Sequence, residues 1–200
     1  MEQQLNNNGD ALNKKLATQK AIRDFIILVF VFALVAATAF YLGRTYFESW
    51  PIIGTSMEPT IHNDDRVILV KTKKIDYDDV VIFKTTLDNK DNFSGKYLIK
   101  RVVGKPGDVI ETVFSESDNA WHVYRNGEIV DESHIREAIY SNTYTAFTET
   151  VPEGKYFILG DNRNNSHDSH IAGFYAEEDD IVGKVFVRYK SLTDFSFLIN

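Results

Sequence analysis

Two hundred residues suffice for a membrane anchor plus one domain of ordinary size. A formal net charge of −7 argues against a nucleic-acid partner, because phosphate recognition needs a basic face. The sequence has no cysteine, which excludes disulfide scaffolds, thiolate metal sites and cysteine nucleophiles together.

Phe25 to Gly43, "FIILVFVFALVAATAFYLG", carries no charge. As a helix it spans roughly the ~30 Å hydrocarbon core of a bilayer. Lys14, Lys15, Lys20 and Arg23 precede it and only Arg44 follows closely, so the positive-inside rule places residues 1–24 in the cytoplasm. Tyr41, Tyr46, Phe47 and Trp50 form an aromatic cluster suited to the opposite interface. Ala37-Thr38-Ala39 also matches a signal-peptide cleavage pattern. The apolar run continues past it through Leu42, and the polar leader is long, which favours a retained anchor.

Beyond Pro51 the sequence predicts strands at 66–71, 79–84, 97–103, 109–113, 121–130, 155–160 and 184–189, each rich in β-branched and aromatic residues. Asn126-Gly127 marks a two-residue hairpin inside the fifth of these. Turns are expected at Lys105-Pro106-Gly107-Asp108 and Pro152-Glu153-Gly154. Residues 131–151 carry no clear pattern and are expected to include an exposed insertion. The class is mainly β.

Three stretches carry chemistry. Ser56 lies in "IIGTSMEPTI"; a serine there is ordinarily a turn residue, and its hydroxyl needs a base to become nucleophilic. The stretch is neither G-x-S-x-G, since Glu58 replaces the second glycine, nor S-x-x-K, since Pro59 stands in the fourth position. In "YLIKRVV", alternation puts Lys100 with Leu98 and Val102, and Arg101 with Ile99 and Val103. From the strand alone, an edge position with both cations in solvent is the expectation. A lysine forced into apolar surroundings would instead lose proton affinity and serve as a general base.

The third stretch is "GDNRNNSHDSHIAG", 160–173, a polar loop directly after an apolar strand. A calcium loop fails there, because Arg163 occupies a ligand position and glycine is missing at the sixth. His167, Asp168 and His170 leave a divalent-metal site open, and Ser56 with His167 and Asp168 or Asp161 leaves a triad open. A plain polar loop is the commonest outcome of such spacing.

Taken in order, "GTSMEPT" (54–60), "YLIKRVVGKPGD" (97–108) and "GDNRNNSHDS" (160–169) resemble the type I signal peptidases, membrane-anchored serine proteases that remove signal peptides from exported proteins. The N-terminal anchor and "DDVVIF" (78–83) fit the same pattern, and the likeness covers most of residues 25–189. The resemblance implies a signal-peptidase-type β catalytic domain with one N-terminal transmembrane helix, a Ser-Lys dyad and no metal or other cofactor. The expected division is a cytoplasmic tail over 1–24, the helix over 25–43, and an extracytoplasmic catalytic domain over 44–200.

By that resemblance Ser56 is the nucleophile and Lys100 the general base. Ser166 would orient the lysine amine, and Asp161, Arg163 and Asp168 would organise the loop. Ile53, Met57, Ile61 and Ile99 would lie in or near shallow apolar pockets for signal-peptide-bearing pre-proteins, cleaved in an A-x-A context. Two positions depart from common patterns. Gly54 supplies no hydroxyl two residues before the nucleophile, as in the single-span branch. His170 stands where the family usually has arginine, which would make its pairing with Asp168 depend on pH, since histidine ordinarily titrates near ~6.5. Loop order and activity are then expected to weaken as His170 loses its proton. Two readings compete. A self-cleaving Ser-Lys repressor would need a DNA-binding head and a cleavable linker, and neither is evident. A membrane-anchored β-domain that only binds or scaffolds would tolerate loss of Ser56 or Lys100.

Overall fold

The computed structural model describes residues 2–85, 95–140, 142–171, 173–191 and 193–198, with side chains from residue 14 onward. The chain divides into two compact units, Met1–Thr45 and Tyr46–Asn200. The first is almost wholly one helix, α1 (Glu2–Tyr46). Its stretch Lys14–Tyr46 is long and apolar enough to cross a membrane. Thr38 and Thr45 donate their hydroxyls to the carbonyls of Leu34 and Tyr41, each at 2.8 Å. These polar groups are thereby satisfied within the helix, as an apolar solvent requires.

The second unit is built from strands β1 (Phe47–Pro51), β2 (Arg66–Val70), β3 (Val80–Lys84), β4 (Tyr97–Gly104), β5 (Val109–Ser115), β6 (Ala120–Arg125), β7 (Glu128–Ile129), β8 (Phe147–Thr150), β9 (Lys155–Leu159), β10 (Ala176–Glu177), β11 (Ile181–Tyr189) and β12 (Phe195–Phe197). The larger sheet runs β1-β2-β11-β3-β4-β9-β10, with β12 beside β11; the smaller runs β7-β6-β5-β8. The structure is mostly β, as its β-branched and aromatic runs require.

Both faces of β3 are buried. On β3, Val81 and Phe83 enter a cluster with Val102, Ile158, Phe174 and Ile181, while Val80 and Ile82 enter another with Val67, Leu69 and Val185. The period of two thus explains why "VVIF" reads as a continuous apolar run. The smaller sheet closes over Val103, Ile110, Val123, Phe157 and Leu159.

One expectation is corrected here. Neither cation of β4 is in solvent, Lys100 and Arg101 being only 3% and 7% exposed, although β4 pairs with β3 over Tyr97–Arg101 and with β9 only over Arg101–Gly104. Residues 131–151 are largely exposed, but they are tied into the fold at single points. Ile139 bridges to Trp121, and Ile139 and Tyr144 are buried in the smaller sheet's core. The pattern is unreadable because isolated apolar residues are buried from irregular backbone.

Candidate active site

The segment from Ile52 to Asp65 forms a closed loop, tied at its neck by Ile52 N–H to the Asp65 carbonyl (2.8 Å) and Asp64 N–H to the Ile52 carbonyl (3.0 Å). Gly54 reverses the chain with φ 112°, a conformation that disfavours any Cβ, and its N–H donates to Asn63 Oδ1 at 2.8 Å. After it, Ile61 N–H reaches the Met57 carbonyl at 2.9 Å. This winding turns Met57 and Ile61 inward, where they are buried with Ile52, Val67 and Ile82. They support the turn from beneath. Ile53 points outward and is 90% exposed.

The loop after β9 clasps this turn. Asn162 N–H donates to the Ser56 carbonyl at 3.0 Å. Asn162 Nδ2 donates to the Thr55 carbonyl at 3.0 Å, and Asn165 Nδ2 to Thr55 Oγ1 at 3.1 Å. Gly160 has no room for a side chain, since a Cβ would stand 2.5 Å from the Ser56 carbonyl oxygen.

Lys100 reaches the turn from β4, and its Nζ donates to Ser56 Oγ at 2.7 Å. Burial lowers its pKa to about 8, against the opposing pull of the Asp168 and Asp161 charges. Desolvation is the dominant cause, because it penalises the ammonium form. The group within hydrogen-bond reach of Ser56 is therefore an amine whose proton affinity is depressed by burial.

The neighbouring cation has a different fate. Arg101 forms a fork on Asp161, Nε to Oδ1 at 2.8 Å and Nη2 to Oδ2 at 2.6 Å, and reaches the Asp78 carbonyl at 2.8 Å. Thr60 Oγ1 adds a 2.5 Å bond to Asp161. These contacts give the buried carboxylate the bidentate pairing that burial of charge requires. His134 lies 3.7 Å from the same carboxylate. Its pKa is lowered by burial and by Arg101. Arg163, fully buried, pairs with Glu132, which ties residues 131–140 to the loop.

Asp168 accepts Gly160 N–H at 2.8 Å and pairs with His170 Nδ1 at 2.7 Å. Burial pushes this carboxyl up, but the His170 bond and charge and the Lys100 charge hold it below the usual carboxylate range. The His170 ring stacks on Tyr144, centroids 4.3 Å apart, and its Nε2 meets Thr143 Oγ1 at 3.1 Å. Ser166 sits close enough to favour the Asp168 carboxylate, yet its buried hydroxyl makes no hydrogen bond of good geometry among the described residues. It does not hold the lysine amine in this arrangement. His167 packs edge-on against Phe174. Among the described residues, no group of three or more His, Asp or Glu is placed to hold a metal ion.

An apolar cleft of about 310 Å³ opens beside Ser56 and Lys100, lined by Trp50, Ile52, Ile53, Ile82, Leu98 and Ile99 among others. Trp50 packs edge-on against Tyr97 at its rim, 4.7 Å between centroids. Ile53 and Ile99 line it; Met57 and Ile61 do not. Sequence reasoning missed Thr60, Asn162, Glu132, His134 and Tyr144, whose partners lie far away along the chain. The glycine before Asp161 was the one legible signal of close approach.

A serine hydroxyl held against a desolvated amine, beside an apolar cleft in a β-domain, is the equipment of a serine hydrolase. Residues 22–190 match the family described as signal peptidase, peptidase S26. The chain is 35% identical over 165 residues to the "Probable signal peptidase I-2" of Synechocystis sp., covering 78% of this chain and 70% of that protein. It is 31% identical over 183 residues to signal peptidase I U of Bacillus subtilis, covering 86% and 91%. A solved signal peptidase I from Enterococcus faecalis aligns with a TM-score of 0.43 at 27% identity, over 56% of this chain and 96% of that one. The chain belongs to the signal peptidase family, peptidase S26, and is a serine endopeptidase of the signal peptidase I type.

Proposed function

We propose that the protein removes N-terminal signal peptides from exported pre-proteins, with Ser56 as nucleophile and Lys100 as general base. The observation that carries this is the 2.7 Å contact between Lys100 Nζ and Ser56 Oγ at a nearly inaccessible lysine. With the amine neutral, the contact reverses polarity and Ser56 donates its proton to Nζ. The oxygen attacks the scissile carbonyl, the Ser56 N–H supports the oxyanion, and the new lysine ammonium protonates the leaving amine. Lys100, neutral again, then takes a proton from the water that hydrolyses the ester. Among the described residues the Ser166 hydroxyl makes no hydrogen bond of good geometry, and it is available to hold the amine once Ser56 is acylated.

The A-x-A context is what the family resemblance implies, and strand geometry accommodates it. On the side away from β3, no strand pairs with Tyr97–Lys100 among the described residues, so an extended substrate can add to that edge. Alternate side chains then face the same way. The first and third residues before the cut would face the apolar cleft together, and the second would point away from it. The helix over 25–43 anchors the chain in the cell membrane, with 1–24 cytoplasmic and the catalytic domain over 44–200 outside. The substrate's own apolar segment shares that bilayer, which raises its effective concentration. Detergent-solubilised full chain incubated with a pre-protein tests this. Ser56→Ala and Lys100→Ala should each abolish cleavage; full activity of Lys100→Ala overturns the dyad.

A further inference from the structure

The smaller sheet leaves part of one strand open. β5 pairs with β6 over Ile110–Ser115 on one side, but with β8 only over Val109–Thr112 on the other. The chain before β8 turns beneath the sheet: the Thr145 carbonyl accepts the Thr112 hydroxyl, and Tyr144 is buried in the core. No strand therefore pairs with Val113–Ser115 on that side among the described residues. The direction of the backbone follows from alternation. The Asp108 carbonyl accepts from Val151, on the β8 side, and the Val109 carbonyl from Asn126, on the β6 side. Phe114, in step with Asp108, turns its N–H and carbonyl to the open edge.

Beside it lies a groove of about 640 Å³, walled by Glu111, Val113, Phe114, Ala146, Phe147 and Thr148. Val113 is 46% and Phe114 42% exposed, and the Phe114 ring packs edge-on against Trp121, 5.3 Å between centroids. Sheet edges left to solvent are ordinarily guarded by lysine, proline or a bulge. This one offers apolar side chains and a regular register instead. Its charges have one sign. Residues 109–120 hold Glu111, Glu116 and Asp118 but no lysine or arginine, and residues 142–151 hold Glu149 and again neither. Asp118 pairs with His122, and Glu149 meets Tyr175. Glu111 and Glu116, which flank the open stretch, have no ion-pair partner among the described residues.

We propose that this edge takes up an extended, basic segment of another polypeptide, added as a strand beside Val113–Ser115. The Phe114 backbone supplies the main-chain bonds, the groove takes alternate apolar side chains, and lysines or arginines between them meet Glu111 and Glu116. A second copy of the chain suits the edge less well, since two β5 strands laid together would set like carboxylates against each other. The surface shares no wall residue with the cleft at Ser56, so it is separate from the Ser56–Lys100 chemistry.

The probe is a fluorescent acetyl-Lys-Val-Lys-Val-Lys-Val-amide, titrated with the full chain in detergent and followed by anisotropy. At low salt it should bind about tenfold tighter than the same peptide with glutamate for lysine, and about 0.5 M salt should erase most of that difference. Glu111→Lys combined with Glu116→Lys should reverse the preference. Phe114→Pro removes the edge N–H without touching a bond to β6. It should weaken the lysine peptide about tenfold with the circular dichroism spectrum unchanged. Methylating the peptide's own amide nitrogens along one edge should weaken it likewise, with no change to the protein. Equal affinities for the two peptides, or a methylated peptide that binds as tightly, overturn the inference. So does a dimer in sedimentation that Phe114→Pro dissociates, for a second copy then occupies the edge.

Discussion

Gly160 stands directly against the backbone of Ser56: a methyl group on its Cα would come 2.5 Å from the Ser56 carbonyl oxygen and closer still to Ser166 Oγ. That carbonyl already accepts Asn162 N–H at 3.0 Å, so neither side can withdraw without breaking the clasp. Gly160→Ala should displace Ser56 by a fraction of an ångström or more. A misplacement on the order of 1 Å costs about 100-fold in rate. Turnover of a pre-protein should therefore fall by roughly this factor, with the circular dichroism spectrum preserved. Wild-type turnover would show that the clasp yields.

Lys100 titrates near 8 because burial disfavours its ammonium, and only the neutral amine can take the Ser56 proton. The kcat/KM of the wild type should rise with pH and level off above about 8. Two units below that point, activity should be about 100-fold under the plateau. Lys100→Arg should be inactive throughout, since a guanidinium stays protonated. A flat profile from pH 6 to 9 would contradict the assignment.

The same burial makes Lys100 a cost to the fold. The unfolded chain binds the lysine proton more tightly than the folded one, so stability should rise with pH between about 8 and the ordinary lysine value. Below 8 both states are protonated and the penalty is complete. Lys100→Met should therefore stabilise the protein at pH 7, by up to about 3 kcal/mol, and the gain should shrink above pH 9. Denaturant titration at both pH values measures this; a destabilised Lys100→Met protein at pH 7 would refute it.

The hairpin at Asn126-Gly127 was legible because its chemistry is local: both residues have positive φ, 53° and 83°, the geometry this pair favours. The long strands were legible for a similar reason, through composition and alternation. β8, β10 and β12 were not, because segments of four, two and three residues become strands only through their partners. The environment of Lys100 differs from what its own strand suggests, since the Ser56 turn and the Asp161–Asp168 loop that surround it lie far away along the chain. Ser56, Lys100 and the 160–173 loop were legible as a set only through their order and resemblance. The fork of Arg101 on Asp161 was written in no local pattern.

His170 pairs with Asp168 through Nδ1 at 2.7 Å, where an arginine would carry a permanent charge. Asp168's charge raises the proton affinity of Lys100, so a permanent cation at 170 should weaken that pull. His170→Arg should shift the acid limb of kcat/KM to lower pH. An unchanged limb would mean that His170 does not act through Asp168.

Lys100 and Arg101 are neighbours in sequence, yet one is committed to a serine and the other to a carboxylate. A slip of β4 by a single residue would bring Arg101 to the position Lys100 holds and Val102 to the position of Arg101. A guanidinium that cannot release its proton would then face Ser56, and Asp161 would lose its fork. Reading frame is usually a property of genes, but here the pairing of one strand acts as one. The bonds of β4 to β3 and β9 decide which of two adjacent cations becomes chemistry and which becomes architecture.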